Sequence, residues 1–251
     1  MAHPPAQQRP GLDRRGVLRG LALTAAALAL PPGRLEAAPL PLEQRLRVCQ
    51  PPGDPLQELL RRNREFAAVW AEAEASGDPL ERARLLQQGW PLHCAVRPDA
   101  LARGQRPWAA VLACADSRVS PEWIFAAGPG ELFEVRTAGN TASDAGVASL
   151  DFAVAELAVP LIVVLGHSDC GAVGAAMARQ PLTPLLEELV LPIRAALPPG
   201  SSLAEAVAAH TRAAARDLPR RSAVLAGAQD AGRLRIQPAC LDIGSGRVSL
   251  L

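Results

Sequence analysis

Two stretches decide the fold: Trp108-Ala109-Ala110-Val111-Leu112-Ala113-Cys114-Ala115-Asp116-Ser117-Arg118-Val119 and Leu161-Ile162-Val163-Val164-Leu165-Gly166-His167-Ser168-Asp169-Cys170-Gly171. Each opens with a short apolar run, and the second run is rich in β-branched residues. A strand covered on both faces reads this way, because neither side alternates toward water. The strands are read as Trp108–Ala113 and Leu161–Leu165, with Leu132–Arg136 a weaker one between them. Pro121–Ala126, opened by Ser120-Pro121-Glu122, and Ser149–Leu157 read as the connecting helices. Strand, helix, strand, helix, strand predicts a parallel sheet with right-handed crossovers. In such sheets functional groups gather at the carboxyl ends of the strands, where both quoted stretches turn polar.

Outward from this centre, the pattern stays helical. Asp54-Pro55 supplies a capping Asp and a proline at the first helical position. Leu56, Leu59, Leu60, Phe66, Ala67, Trp70 and Ala73 then recur at helical spacing up to Gly77. Asp78-Pro79 repeats the start signal, and Gly89 ends a second, shorter helix. These two helices carry no evident chemistry and are expected to pack on a partner subunit. Downstream, Leu182–Leu197, Leu203–Arg216 and Arg220–Gln229 read as helices. Leu234–Ile243 and Arg247–Leu250 form a closing hairpin around Gly244-Ser245-Gly246. The expected fold class is α/β, a mainly parallel β-sheet flanked by helices.

The chain has 251 residues, 49% hydrophobic and 20% charged, the balance of a protein that buries a sizeable core. With 26 basic and 25 acidic residues, nothing points to a nucleic-acid surface. Every basic residue is Arg, and there is no Lys or Tyr. A lysine Schiff base, a P-loop lysine and a phenolic acid or base are therefore excluded.

Residues 13–30 combine Asp13-Arg14-Arg15-Gly16-Val17-Leu18-Arg19 with an apolar run, Leu21 to Leu30, followed by Pro31-Pro32-Gly33. This is the layout of a bacterial export signal, and the paired arginines resemble the twin-arginine type. The apolar run is shorter than the ~20 residues that span a bilayer. Residues 1–38 are accordingly read as a signal and 39–251 as one catalytic domain, with no stable membrane span after signal removal and a periplasmic or otherwise exported location. Without those 38 residues the chain keeps 21 basic and 23 acidic residues, a net charge of −2.

Cys114 follows the first strand, while His167 and Cys170 follow the third. Two thiolates and an imidazole at one sheet edge make three zinc ligands, since soft sulfur favours zinc over magnesium or calcium. Three protein ligands leave a fourth position for water, the mark of a catalytic site. A structural site takes a fourth protein ligand, and Asp116 is near enough in sequence to serve, so spacing alone leaves both open. Asp116 and Arg118 also suit a side-by-side ion pair, which keeps the carboxylate ionised and fixed. Such a carboxylate accepts a hydrogen bond from a nucleophilic hydroxide and aims its lone pair. The plainer alternative is a surface salt bridge of little consequence.

Cys114-Ala115-Asp116-Ser117-Arg118-Val119 with Gly166-His167-Ser168-Asp169-Cys170-Gly171 resembles the paired motifs of the β-class carbonic anhydrases. The 52 residues between Cys114 and His167, and Val135-Arg136-Thr137-Ala138-Gly139-Asn140, are similar to that family too. The likeness runs from Asp54 to Leu251 and is tightest over Gly104–Gly174. It implies one Zn²⁺ per subunit on Cys114, His167 and Cys170, with Asp116 and Arg118 as the catalytic dyad. It implies that Gln105 and Phe133 line a plant-type substrate pocket and that the Gly171 N–H meets bicarbonate. It also implies a site at a subunit interface, hence a homodimer or higher homo-oligomer. The chain departs from the family at Thr137, where Asn is more usual, in having no Tyr, and over Gly77–Ala102, which does not match. The function implied is reversible hydration of CO₂ to bicarbonate and a proton by zinc-bound hydroxide. Alternatives are hydrolysis of CS₂ or COS on the same scaffold and a non-catalytic zinc protein. A thiol redox protein is excluded, because there is no Cys-x-x-Cys.

The proton route is left unassigned. His210, alone on an Ala-rich helix, reads as an ordinary helix-face residue rather than a shuttle. Cys49, Cys94 and Cys240 remain after the two ligands and are read as buried thiols, although an exported protein can pair two of them. His93-Cys94 is set aside as a metal pair, because adjacent residues rarely converge on one ion.

Overall fold

The computed structural model describes residues 53–88, 98–178 and 180–251. The expected signal segment, Cys49 and the His93-Cys94 pair lie outside the described residues. Helix α1 (Pro55–Ala75) starts as the sequence predicts, with the Asp54 carboxylate accepting the Gln57 N–H at 2.9 Å and Pro55 in the first turn. Helices α2 (Pro79–Gln88) and α3 (Pro98–Arg103) follow. Then come β1 (Ala109–Cys114), α4 (Pro121–Ile124), β2 (Leu132–Thr137) and a 3₁₀ turn, Ala138–Asn140. The remainder is α5 (Asp144–Ala155), β3 (Leu161–His167), α6 (Gly171–Ala178), α7 (Pro184–Ala196), α8 (Leu203–Arg221), α9 (Ala223–Asp230), β4 (Arg235–Asp242) and β5 (Arg247–Leu250). Among the described residues no helix is long and apolar enough to cross a membrane.

The sheet order is β2-β1-β3-β4-β5. The first four strands are parallel and β5 returns antiparallel to β4, as the hairpin reading requires. Every residue of β1 and β3 is buried, which accounts for their unbroken apolar runs. Side chains alternate between two cores. Ala110, Leu112, Ile162 and Val164 meet Leu150 of α5, Leu218 of α8 and Leu225 of α9. Ala109, Val111, Val163 and Leu165 meet Leu59 and Phe66 of α1 and Ile124 of α4. Gly166 lets α8 lie directly on β3, because a Cβ there would fall 2.2 Å from Thr211 Oγ1.

The buried face of α1 seats on the sheet of its own chain. Arg62, 4% exposed, pairs with Glu58 at 2.7 Å and with both oxygens of the buried Glu131 at 3.1 Å. Glu131 also accepts the Trp108 indole N–H at 3.2 Å, and Asn63 donates to the Gly246 carbonyl at 2.9 Å. Two helix boundaries move for the same local reason, a serine cap that outranks the apolar pattern. Ser143 accepts the Gly146 N–H and starts α5 ahead of the apolar run at Ser149. Ser222 accepts the Leu225 N–H, so α8 runs through Pro219 to Arg221 and α9 begins only at Ala223.

Candidate metal centre

β1 and β3 are parallel neighbours with Ala113 opposite Leu165, so Cys114 and His167, their last residues, emerge at the same carboxyl edge. The chain then turns through Asp169, whose φ of 55° is left-handed, and delivers Cys170 at the head of α6. That turn is tied to β4, because Ser168 N–H donates to the Leu241 carbonyl at 2.8 Å and Ser168 Oγ accepts the Ile243 N–H at 2.9 Å. One ligand atom each from Cys114, His167 and Cys170 lies within 4.8 Å of the others, and all three residues are buried.

His167 Nδ1 lies 2.9 Å from the Ser168 carbonyl, an acceptor, so Nδ1 carries the proton and Nε2 presents its lone pair. Nε2 is buried with no hydrogen-bond partner. The Cys170 thiol donates toward Cys114 and, with the Gly139 N–H, draws the Cys114 thiol down to about 3 against the opposing effect of burial. The same contact and burial push Cys170 upward. The pair therefore shares a negative charge beside an unsatisfied imidazole lone pair. Two soft sulfurs and one nitrogen with those properties fit a zinc ion.

Asp116 stands outside this ligand cluster, and Arg118 occupies both of its oxygens. Arg118 Nε donates to Oδ1 at 2.9 Å, Nη2 to Oδ2 at 2.7 Å, and the Arg118 main-chain N–H to Oδ1 at 3.0 Å. The Arg118 side-chain bonds, more than any other contact, hold the Asp116 carboxyl well below the usual range. With both oxygens on Arg118, Asp116 is not part of the Cys114–His167–Cys170 group of clustered ligand atoms.

Three groups around the centre escaped the sequence reading. Arg136 donates to the Cys114 carbonyl at 3.1 Å and to the Asp116 carbonyl at 2.7 Å, fixing the backbone on which both sit. Gly139, with φ 68°, gives its N–H to Cys114 Sγ at 3.2 Å. His210 is 2% exposed, not a helix-face residue, and its Nε2 lies 2.7 Å from the Gly139 carbonyl. Only the Val135–Asn140 motif signalled the first two, and nothing local signalled His210. Thr137, where the family's usual Asn is missing, donates its hydroxyl to the Thr141 carbonyl at 2.8 Å and braces the same turn.

The expected pocket residues divide. Gly171 opens α6 beside Cys170, and a Cβ there would meet nothing within 4 Å. Gln105 lies at the amino edge of the sheet, in a hollow of about 480 Å³ shared with Gly53, Arg106, Trp108 and Glu156. β1 separates it from Cys114 by roughly 20 Å of strand. Phe133 pairs in register with Ala110, four residues short of the Thr137–Cys114 level, and its ring packs on Phe152. A single chain therefore does not bring Gln105 or Phe133 to the metal ligands.

Fold and site together define an α/β protein with a buried Cys₂His group able to hold a metal and an arginine-locked aspartate at the carboxyl edge of a parallel sheet. The carbonic anhydrase family model matches residues 109–248, and the chain belongs to the β-class carbonic anhydrase family. Carbonic anhydrase 2 of Mycobacterium tuberculosis is 52% identical over 93 residues, 36% of this chain and 45% of that protein. The chain thus spans less than half the length of that relative. The carbonic anhydrase of Mycolicibacterium smegmatis is 36% identical over 64% of this chain and 84% of its own length. Among solved structures, the β-carbonic anhydrase of Aspergillus fumigatus superposes with a TM-score of 0.56 at 26% identity, covering 79% of this chain and 91% of that one. A tetrameric β-carbonic anhydrase of Sordaria macrospora gives 0.56 at 25% identity, over 61% of this chain and 84% of that one.

Proposed function

We propose that this chain catalyses the reversible hydration of CO₂ to bicarbonate and a proton, using one zinc ion per subunit held by Cys114, His167 and Cys170. The observation that carries this reading is the buried three-ligand cluster beside an aspartate whose two oxygens are both fixed by Arg118. Zinc bound there supplies a Lewis acid able to bring the pKa of water to ~7. Asp116, held ionised by Arg118, accepts the O–H of the attacking oxygen and turns its remaining lone pair toward the substrate carbon. Arg118 also donates to the Asp169 carbonyl at 3.3 Å, tying the dyad to the loop that carries Cys170. The side-chain-free position at Gly171 leaves room for a small substrate next to Cys170.

A second copy of the chain completes the pocket in this reading, supplying Gln105 and Phe133 across a subunit interface. Their distance from Cys114 within one chain supports that, as does the tetrameric state of the Sordaria macrospora relative. Arg14-Arg15 and the apolar run after them support export from a bacterial cytoplasm.

Stopped-flow CO₂ hydration near pH 8 on zinc-loaded protein tests the activity. Rapid, chelator-sensitive proton release supports it. Zinc binding with no acceleration over buffer overturns it and leaves turnover of CS₂ or COS, or a purely structural zinc site, to be measured.

A further inference from the structure

We infer that His210 is a positioning residue for the metal centre, holding the Gly139 peptide so that its N–H stays aimed at the sulfur of Cys114. The inference rests on the reading of Cys114 as a zinc ligand. It goes further in assigning a role to a buried side chain that contacts neither ligand nor substrate.

The geometry is a two-step bridge. His210 Nε2 lies 2.7 Å from the Gly139 carbonyl, and the Gly139 N–H lies 3.2 Å from Cys114 Sγ. A carbonyl only accepts, so Nε2 carries the proton and the neutral ring leaves Nδ1 as an acceptor. That Nδ1 is buried with no protein partner. A histidine folded into a helix interior with one nitrogen unpaired is costly. The Gly139 contact is the hydrogen bond that His210 makes in return.

Gly139 needs such an anchor. Its φ of 68° and ψ of 26° are left-handed, and it is wedged so tightly that a Cβ would sit 2.9 Å from Ile193 Cδ1 and 3.1 Å from Ala172 Cβ. Neighbouring Asn140 is also left-handed, at φ 46°. Left-handed φ is open to glycine but disfavoured for Asn140, so the turn holds this shape only with contacts that fix it. Thr137 and Thr141 pin the turn from the strand side, with hydroxyls on the Thr141 and Ala138 carbonyls at 2.8 and 2.6 Å. His210, reaching over from α8, pins it from the helix side. An N–H donated to a thiolate ligand moderates its charge and fixes its direction, as outer-sphere partners of metal ligands do.

The test uses the full chain with His210→Leu, which removes the donor, and His210→Gln, which keeps one. Zinc affinity is read by chelator competition, and the thiolate-to-metal charge-transfer band is read on the cobalt-loaded proteins. We expect His210→Leu to lose about 10- to 100-fold in zinc affinity and to shift the band, while His210→Gln keeps most of both. Equal affinity and an unmoved band in His210→Leu overturn the inference. So does equal damage in the two variants, which would make packing rather than the hydrogen bond the cause. A measurement on the unmodified chain guards against a variant that does not fold. With cadmium-113 bound, the Gly139 amide proton should show scalar coupling to the metal through Cys114 Sγ, and absence of that coupling overturns the bridge. Unmodified protein that binds no zinc at all overturns the ligand reading itself, which separates the two failures.

Discussion

Asp116 has no oxygen without a cation beside it, and that fixes what its substitution should do. Asp116→Asn keeps the three metal ligands, so zinc content should stay at one per chain. The neutral amide no longer accepts as a carboxylate does, and CO₂ turnover should fall by about 100-fold or more. Cys170→Ser should instead lower zinc content and turnover together, as metal analysis on the same samples will show. Full turnover in Asp116→Asn would remove the dyad from the mechanism. Glu134, on β2, makes a separate prediction. Burial, assisted by the charge of Glu122, pushes its carboxyl up to about 7, and its Oε1 has no partner. The folded chain thus holds this proton where the unfolded chain, at the ordinary 4.5, releases it. Stability conferred at low pH is therefore lost as pH rises from 4.5 through 7. Allowing for its partial exposure, Glu134→Gln should gain on the order of 1–2 kcal/mol over the unmodified protein at pH 8 and nothing at pH 4. Urea unfolding at the two pH values measures this.

At the scale of elements, the contact of α1 with the sheet depends on a buried charge cluster rather than on apolar area alone. Arg62 lies between Glu58 and Glu131 and stacks over the Trp108 ring at 5.2 Å. Arg62→Leu leaves the buried Glu131 without its cation, and such a loss costs about 3–5 kcal/mol. Urea denaturation should show that drop, and loss of α1 docking should show as faster amide exchange along Leu56–Ala67. The sequence displayed α1 clearly, through Asp54-Pro55 and the helical spacing of Leu56, Leu59 and Phe66. It did not display what α1 packs against, because Glu131 and Gly246 are distant in the chain and meet Arg62 and Asn63 only in the fold. Serine caps at Ser143 and Ser222 likewise overrode boundaries drawn from hydrophobic spacing.

For the whole molecule, the separation between Cys114 and Gln105 at opposite edges of the sheet has a direct consequence. If a second copy supplies Gln105, a chain with Asp116→Asn and a chain with Gln105→Ala are each impaired, yet mixed interfaces include one intact site. Unfolding and refolding the two variants together should then recover up to about a quarter of the unmodified turnover, the fraction expected from random pairing across a two-fold interface. No recovery in verified mixed oligomers would exclude the shared pocket.

Sequence by itself determined the parallel sheet, since fully buried strands must be apolar throughout, and the meeting of Cys114, His167 and Cys170, since parallel strands end at one edge and these residues close or follow two such strands. It also marked Asp116 and Arg118, two residues apart and close enough to pair in any local turn. Only the tertiary structure decided that Arg118 takes both Asp116 oxygens, that Gln105 and Phe133 stand away from Cys114 of their own chain, and that His210 reaches the Gly139 carbonyl. Those facts depend on long-range geometry: which strand edge a loop reaches, and which face of α8 meets the turn at Gly139. Periodicity and spacing along the chain encode neighbours within a few residues, and 71 residues separate Gly139 from the side chain that holds it.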